Sequence, residues 1–267
     1  MSNASGSLRG AILGTAVLLG SVSAPVVAEN PGGWEYSVAP MYLWAKNIDG
    51  TSTVGGMEAP LSLEFADDIL ENLEAAFAIH AEAKQGPLTL FAEYNYAKLD
   101  PSTDAQFGPF AVTVDINFRD VMGEFGVAYA FSDSGSTRWE VLGGVRYFDQ
   151  KIDVNIDKPD IAPGVLPIPD EISGGDDWWH GFGGFRVTRK LSERWSFLAR
   201  ADYGYQDSDN KTLQATGIFD YRFRSWGSFF VGYRFMDTTY DNGELGLDNY
   251  GFDADQQGPA LGLNLRF

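Results

Sequence analysis

The residues that could do chemistry lie close together in short polar-apolar runs. His80 is followed by Glu82 in "IHAEA", and Glu93 lies in the next run, "LTLFAEYNY". One His and two carboxylates on a shared face could bind a metal ion or pass a proton. The second His, in "DDWWHGF", has Asp177 close by, a pair that suits acid-assisted attack by water through Asp177 and His180. A hydroxyl nucleophile needs its base beside it, and no Ser shares the inward face of either histidine's own segment. A His and a Glu two residues apart are common by chance, and a polar network would hold both histidines without any reaction. The expectation is no enzyme, no cofactor and no metal site. A hydrolase is the distant alternative. The chain has no Cys, so thiolate ligands, disulfides and Cys-linked lipid are excluded.

Elements with a period of two must position these residues. "AAFAIHAEAK" sets Phe77, Ile79, Ala81 and Ala83 on one face and His80, Glu82 and Lys84 on the other. The same alternation runs through "WEYSVAPMYLW", "LTLFAEYNY", "GEFGVAYAF", "RWEVLGGVRY", "WWHGFGGFRV", "RWSFLARADYGY", "TLQATGIFDYRF", "SFFVGYRF" and "ALGLNLRF", which makes ten strands. In the first of these, Trp34, Tyr36, Val38, Pro40, Tyr42 and Trp44 are expected to face outward. Short connections ("QGP", "SDSGST", "KLSE", "RSWG") alternate with long ones near 47–74, 99–111, 158–175 and 240–256 and a shorter one near 207–210. Four short turns and two termini on one rim require ten strands, and short turns opposite long loops mark an outer-membrane barrel.

Aromatic residues fall into two belts. Trp34, Phe131, Trp139, Trp195, Phe223, Phe229 and Phe267 lie at the short-turn ends; Tyr42, Trp44, Tyr94, Tyr96, Tyr147, Tyr203 and Tyr205 lie toward the long loops. Such rings favour the headgroup level. The last strand ends on Phe267 and is expected to pair with the first, because a membrane barrel leaves no free edge. A water-soluble sandwich would carry Lys on its polar face, whereas here that face is rich in Gly, Ala and Ser. Residues 1–28 read as a secretory signal: Arg9, an apolar run, then small residues, with cleavage expected after Ala28 and Ala24 as second site. Residues 29–267 form the barrel. The fold class is all-β, a transmembrane antiparallel up-and-down β-barrel of about ten strands, located in the bacterial outer membrane.

Three segments carry a resemblance: "APMYLWAKNIDGT", "LSLEFADDILENLEAAF" followed by "KQGPLTLFAEYNY", and the C-terminal "FVGYRFMDTTYDNGELGLDNYGFDADQQGPALGLNLRF". Together with "GGFRVTRKLSERWSFLARADYG" they resemble a widespread, largely uncharacterised family of small, porin-like outer-membrane β-barrel proteins of Gram-negative bacteria. The resemblance implies location and fold and supplies no reaction. His180 departs from it, standing where the family pattern leads one to expect an acidic residue near "WW".

Inward-facing charges divide along the chain. Glu35, Glu82, Glu93, Glu124 and Glu140 come early; Arg146, Arg186, Arg200, Arg222, Arg234 and Arg266 come later, with Asp202 and Asp220. A ten-stranded barrel is narrow, so these groups are expected to pair across the lumen. Fully paired they form a plug; partly open they form a charge-selective constriction. The phase of alternation changes above Val121. Val112, Val114, Ile116 and Phe118, and in the next strand Ile152, Val154 and Ile156, are apolar at even positions. Either bulges turn these residues outward, or the strands rise past the membrane and the residues line a vestibule. In the first long loop, "ADDILENLEAA" predicts a short helix with Ile69, Leu70 and Leu73 on one face, either a loop packed on its own apolar residues or a lid over the mouth. The acidic segment at 240–256 lacks the spacing of a helical calcium loop.

The net charge of −18 argues against nucleic acid as a partner. The expected partners are outer-membrane lipid and lipopolysaccharide, the barrel-assembly machinery through the C-terminal strand, and a small apolar ligand, bound by a monomer. The functional expectation is a narrow channel or binding barrel for small apolar molecules. The alternative is a non-transporting structural or surface-interaction barrel with a salt-bridged lumen.

Overall fold

A computed structural model describes residues 33–107, 110–157 and 170–267; at 103–107 and 110–112 it describes the backbone alone. The signal-peptide reading lies outside the described residues, as does most of the Pro-rich third loop.

The strands are β1 (Glu35–Ala39), β2 (Tyr42–Trp44), β3 (Asn47–Val54), β4 (Met57–Leu63), β5 (Leu73–Gln85), β6 (Leu88–Leu99) and β7 (Ser102–Phe107). They continue as β8 (Phe110–Asp133), β9 (Thr137–Asp157), β10 (Glu171–Lys190), β11 (Trp195–Asp207), β12 (Asn210–Arg224), β13 (Gly227–Asp241) and β14 (Tyr250–Arg266). All pairings are antiparallel, and the ring runs β1-β5-β6-β8-β9-β10-β11-β12-β13-β14 before closing through β14 onto β1. Those are the ten expected positions. Closure joins Ser37 to Arg266 and Val38 to Leu265, and Phe267 exchanges backbone hydrogen bonds with Tyr36. The remaining strands decorate the long-loop rim: β3 and β4 form a hairpin on β14, and β7 lies on β8.

The strands are longer and the loops shorter than expected. β8 has 24 residues, where about 9–11 suffice to cross a bilayer, so it rises well beyond the membrane. β14 starts at Tyr250, which shortens the last connection. Outside the turn end at Ala130/Ser132, the β8–β9 register is unbroken: Val121 pairs with Asp149, Phe118 with Ile152 and Ile116 with Val154. No bulge turns the strand, so the even-numbered apolar residues continue on the inner face.

Two expectations about the first strand and first loop are corrected. Tyr42 and Trp44 face inward: Pro40 has no N–H to donate, the strand breaks at Pro40–Met41, and the alternation restarts one residue out of phase. The first-loop helix is a five-residue π-helix, Phe65–Ile69, and Leu73 already belongs to β5. Asp68 accepts the Glu64 N–H at its start, which occupies one of the free donors of a helix end.

On the outside, an exposed apolar band includes Phe125, Val127, Tyr129, Val145, Phe185, Tyr203, Phe219 and Val231. Phe131, Trp139, Trp195, Phe229 and Phe267 are exposed toward the short turns; Tyr94, Trp179, Tyr203 and Tyr205 are exposed toward the long-loop rim.

Candidate functional site

The lumen is filled by ion pairs that cross it. Arg186 on β10 bonds Glu140 on neighbouring β9 through Nε at 2.7 Å and reaches Glu82 on β5, four ring positions away. Arg138 ties Glu140 to the short-turn rim, donating to the carbonyls of Gly86 and Pro87. Further up, Arg146 bonds Glu124 and Asp202, both at 2.7 Å, with all three side chains fully buried. Arg200 bonds the other oxygens of the same two carboxylates, also at 2.7 Å. Arg234 on β13 reaches Glu93 on β6. Near the short turns Arg266 bonds Asp220 at 3.0 Å.

Most of the expected set therefore forms three clusters and one rim pair, and each carboxylate in these faces a guanidinium. Planar guanidinium groups suit this because one Arg can serve two acids. Two of the residues do not join. Glu35 is exposed and meets Lys84 at 3.7 Å, and Arg222 is exposed beside its turn. Both sit at strand ends, where alternation continues but the barrel wall no longer encloses the side chain. Sequence reasoning missed Arg138, Tyr42 and Gln214. The Tyr42 hydroxyl lies within hydrogen-bond distance of Glu93 and Asn95, at 2.8 and 2.7 Å, and Gln214 accepts from Arg234 at 2.7 Å. Even position in β9 and β12 could have found Arg138 and Gln214, but the Pro40 phase break hid Tyr42.

His80 lies between Glu93, 3.1 Å from Nδ1, and Glu82, 3.3 Å from Nε2. The two carboxylates that could have made a metal cluster with His80 are thus beside it, but each also binds an Arg. No group of residues suited to a metal ion is present among the described residues.

His180 and Asp177 are not brought together. Three residues apart on a strand they take opposite faces: His180 is buried in the lumen and Asp177 is exposed outside. Instead, Asn210 and Thr212 of β12 hold His180. Asn210 Nδ2 donates to the Trp179 carbonyl and to Gln206, so its Oδ1 accepts from His180 Nδ1 at 3.0 Å. Arg146 donates to Thr212 Oγ1 at 2.7 Å, which leaves the Thr212 hydroxyl to donate to His180 Nε2 at 3.0 Å. This contact spans two strands, so reading each segment alone could not find it. Two glycines make room for inward rings: a Cβ on Gly204 would lie 2.4 Å from the imidazole, and one on Gly126 would lie 2.3 Å from Phe91.

Above the charges lies an apolar cluster. Met122, Phe148, Trp178 and Met236 come from the wall, Tyr250 and Phe252 from the top of β14, and Ile48 and Ile69 from the first loop. Phe65, Leu61, Leu63 and Trp44 pack against it. Trp178 stacks on Tyr240 with ring centres 3.9 Å apart and on Phe148 at 5.1 Å. Phe118 and Ile152 of the candidate vestibule pack on this cluster; Val114, Ile116, Val154 and Ile156 are half-buried above it, and the Val112 side chain lies outside the described residues. Asp115 and Asn155, on the opposite face, are exposed. One polar bridge crosses the cluster: Lys46 bonds Asp120 at 2.7 Å, Gln150 donates to Asp120 at 2.9 Å, and Tyr250 donates to Gln150 at 2.8 Å. The indole nitrogens of Trp178 and Trp44 are buried in the cluster without a partner among the described residues.

Comparison with known proteins reveals likeness of fold. No family model matches the chain, and no curated protein sequence does. Among solved structures, the outer membrane protease OmpT from Escherichia coli is 10% identical with a TM-score of 0.55, over 91% of this chain and 99% of that one. The translocator domain of autotransporter NalP from Neisseria meningitidis is 14% identical with a TM-score of 0.49, covering 90% of each chain. The toluene transporter TodX of P. putida is 10% identical with a TM-score of 0.33, over 89% of this chain and 91% of that one. The OmpT likeness shows the fold alone, that of an outer-membrane β-barrel. The two with scores below 0.5 carry no argument. A closed ring with an apolar, aromatic-edged outer face is the strand architecture that a lipid bilayer accepts, and it places the chain in the bacterial outer membrane.

Proposed function

We propose that this outer-membrane barrel binds small apolar molecules in its mouth, with the ion-paired lumen beneath acting as a seal rather than an open pore. The observation that carries the reading is the mouth cluster. It is apolar, roofed by the first loop, and holds two buried indole N–H groups with no partner among the described residues. Buried donors without partners are costly, and a ligand that is mostly apolar with one acceptor atom would satisfy one of them. The charges below are paired across the barrel, which leaves no single-sign ring to select ions. The proposed role involves no catalysis. His180 is held by Asn210 and Thr212 beneath Phe148, and the acids next to His80 are occupied by Arg186 and Arg234.

Titration of the purified barrel with the apolar fluorophore N-phenylnaphthylamine tests the reading. Saturable quenching of tryptophan emission, weakened at least tenfold by Trp178→Leu, is expected, with no ion-conductance steps in a planar bilayer. Steady ohmic conductance would remove the seal. The ion-paired lumen also favours a second reading, a purely structural barrel, and absence of saturable binding selects it.

A further inference from the structure

Closure of the ring is incomplete on one side. β1 pairs with β5 over five positions, from Glu35 with Lys84 to Ala39 with His80. β5 continues upward from Ile79 to Leu73, where its other edge is still paired with β6. On the side facing the first strand, no ladder partner takes over among the described residues. The chain breaks at Pro40–Met41, and among the described residues β2 then pairs with β14 alone, Tyr42 with Gly262 and Trp44 with Ala260. The β3–β4 hairpin continues this arrangement: β3 pairs with β14, and among the described residues β4 pairs only with β3. A seam without ladder pairs therefore runs between β2–β4 and the upper half of β5.

The seam starts at the outer edge of the membrane. Ile79 is in register with Tyr94 and Phe77 with Tyr96, the residues of the upper aromatic belt on β6. In lipid an unpaired strand edge is unfavourable, so a barrel with no use for a seam would close it. Here Pro40 prevents closure, since it offers no N–H and ends the strand. Exposed apolar residues stand on both lips next to the break, Met41, 72% exposed, with Leu43 on one and Phe77 on the other, and charge appears only higher up, at Glu74 and on the β3–β4 hairpin. Inside, the same height holds the mouth cluster. Trp44 follows Leu43 on the first lip, Leu73 heads β5, and Phe65 lies on the loop between the lips; all three pack on the cluster.

We infer that this seam between β2 and β5 is a lateral port, through which a small apolar molecule passes between the mouth cluster and the outer leaflet. The inference rests on the binding role proposed above and adds a direction to it. An apolar solute that left upward would re-enter water, and one that went downward would meet the buried charges of Glu93 and Arg234. The sideways path keeps it among apolar groups throughout.

The chain has no Cys, so thiols can be placed singly. Leu43→Cys with Phe77→Cys spans the seam; Phe125→Cys with Val145→Cys spans a ladder-paired wall. Spin labels on the first pair, in lipid nanodiscs, should give a broad distance distribution, and those on the second a narrow one. Two equally narrow distributions would overturn the port whatever the barrel binds. Joining the first pair with a short bis-maleimide should slow release of bound N-phenylnaphthylamine into the nanodisc lipid at least tenfold, with equilibrium binding kept. The joined control pair should release it as the parent does. Unchanged release with retained binding would overturn the port and leave the binding role standing. If the parent binds no fluorophore, the binding role fails and the port as a ligand path fails with it.

Discussion

The two halves of the barrel interior solve the same packing problem with opposite chemistry. Below, the wall is a complete ladder and the interior is held by guanidinium–carboxylate pairs that reach across up to four ring positions. Above, part of the wall lacks ladder pairs, and the interior is apolar and roofed by a loop. The difference teaches where adaptability can reside. A buried ion pair tolerates no gap, because separating the partners leaves a charge unsolvated. An apolar cluster loses far less when a neighbour moves, and it can exchange a loop side chain for a ligand. The lower half therefore fixes the barrel's shape, and the upper half is free to respond.

The largest effect should come from breaking the lower network. Arg146→Ala removes a fully buried cation from Glu124, Asp202 and Thr212 and should cost about 3–5 kcal/mol, read as a lower unfolding midpoint in detergent. An unchanged midpoint would mean that water already fills the lower lumen. A smaller, local effect is expected above. Ile69→Ala should cost about 2–4 kcal/mol of roof stability, yet the barrel's midpoint should stay put while protease cleaves the first loop faster. If cleavage and midpoint shift together, the halves are one cooperative unit and the contrast fails.

Next in size is a difference in reaction rate. Single Cys at Ile116 or Val154 should react more slowly with a bulky water-soluble maleimide than Cys at Asp115 or Asn155, by about tenfold, in keeping with their burial. Equal rates would contradict the inward assignment of the upper wall. The smallest effect belongs to the short-turn rim. The Gly135 N–H and then Arg138 hold the Asp133 carboxyl below its ordinary range. Its folded pKa is depressed, so its contribution is present above the unfolded pKa and fades as pH falls through the lower folded value. Asp133→Asn should flatten the acid limb of the stability–pH curve only slightly, whereas an effect as large as that of Arg146→Ala would give the rim a role this comparison denies it.

Alternation alone was enough to determine the ten strands, their faces up to the break at Pro40 and beyond the first strand, and the closing role of Phe267, because a barrel in lipid obliges each strand to show one face to hydrocarbon and the other to the lumen. It also placed Glu82, Glu93, Glu124, Arg186, Arg200 and Arg234 inside, since even or odd position suffices for that. Position within a strand cannot say which acid meets which Arg. That depends on register summed around the ring, and it joins Arg186 to Glu82 at a separation of 104 residues. The same summation put Thr212 beside His180, while the odd spacing of Asp177 from His180 could have been read from the sequence as placing them on opposite faces. Tyr42 and Trp44 were misplaced because one missing N–H at Pro40 shifts the phase, and a pattern count carries straight through such a break. Whether the upper wall pairs or parts was decided by tertiary structure alone, since it depends on which neighbour the broken first strand finds; here that neighbour is β14 and not β5.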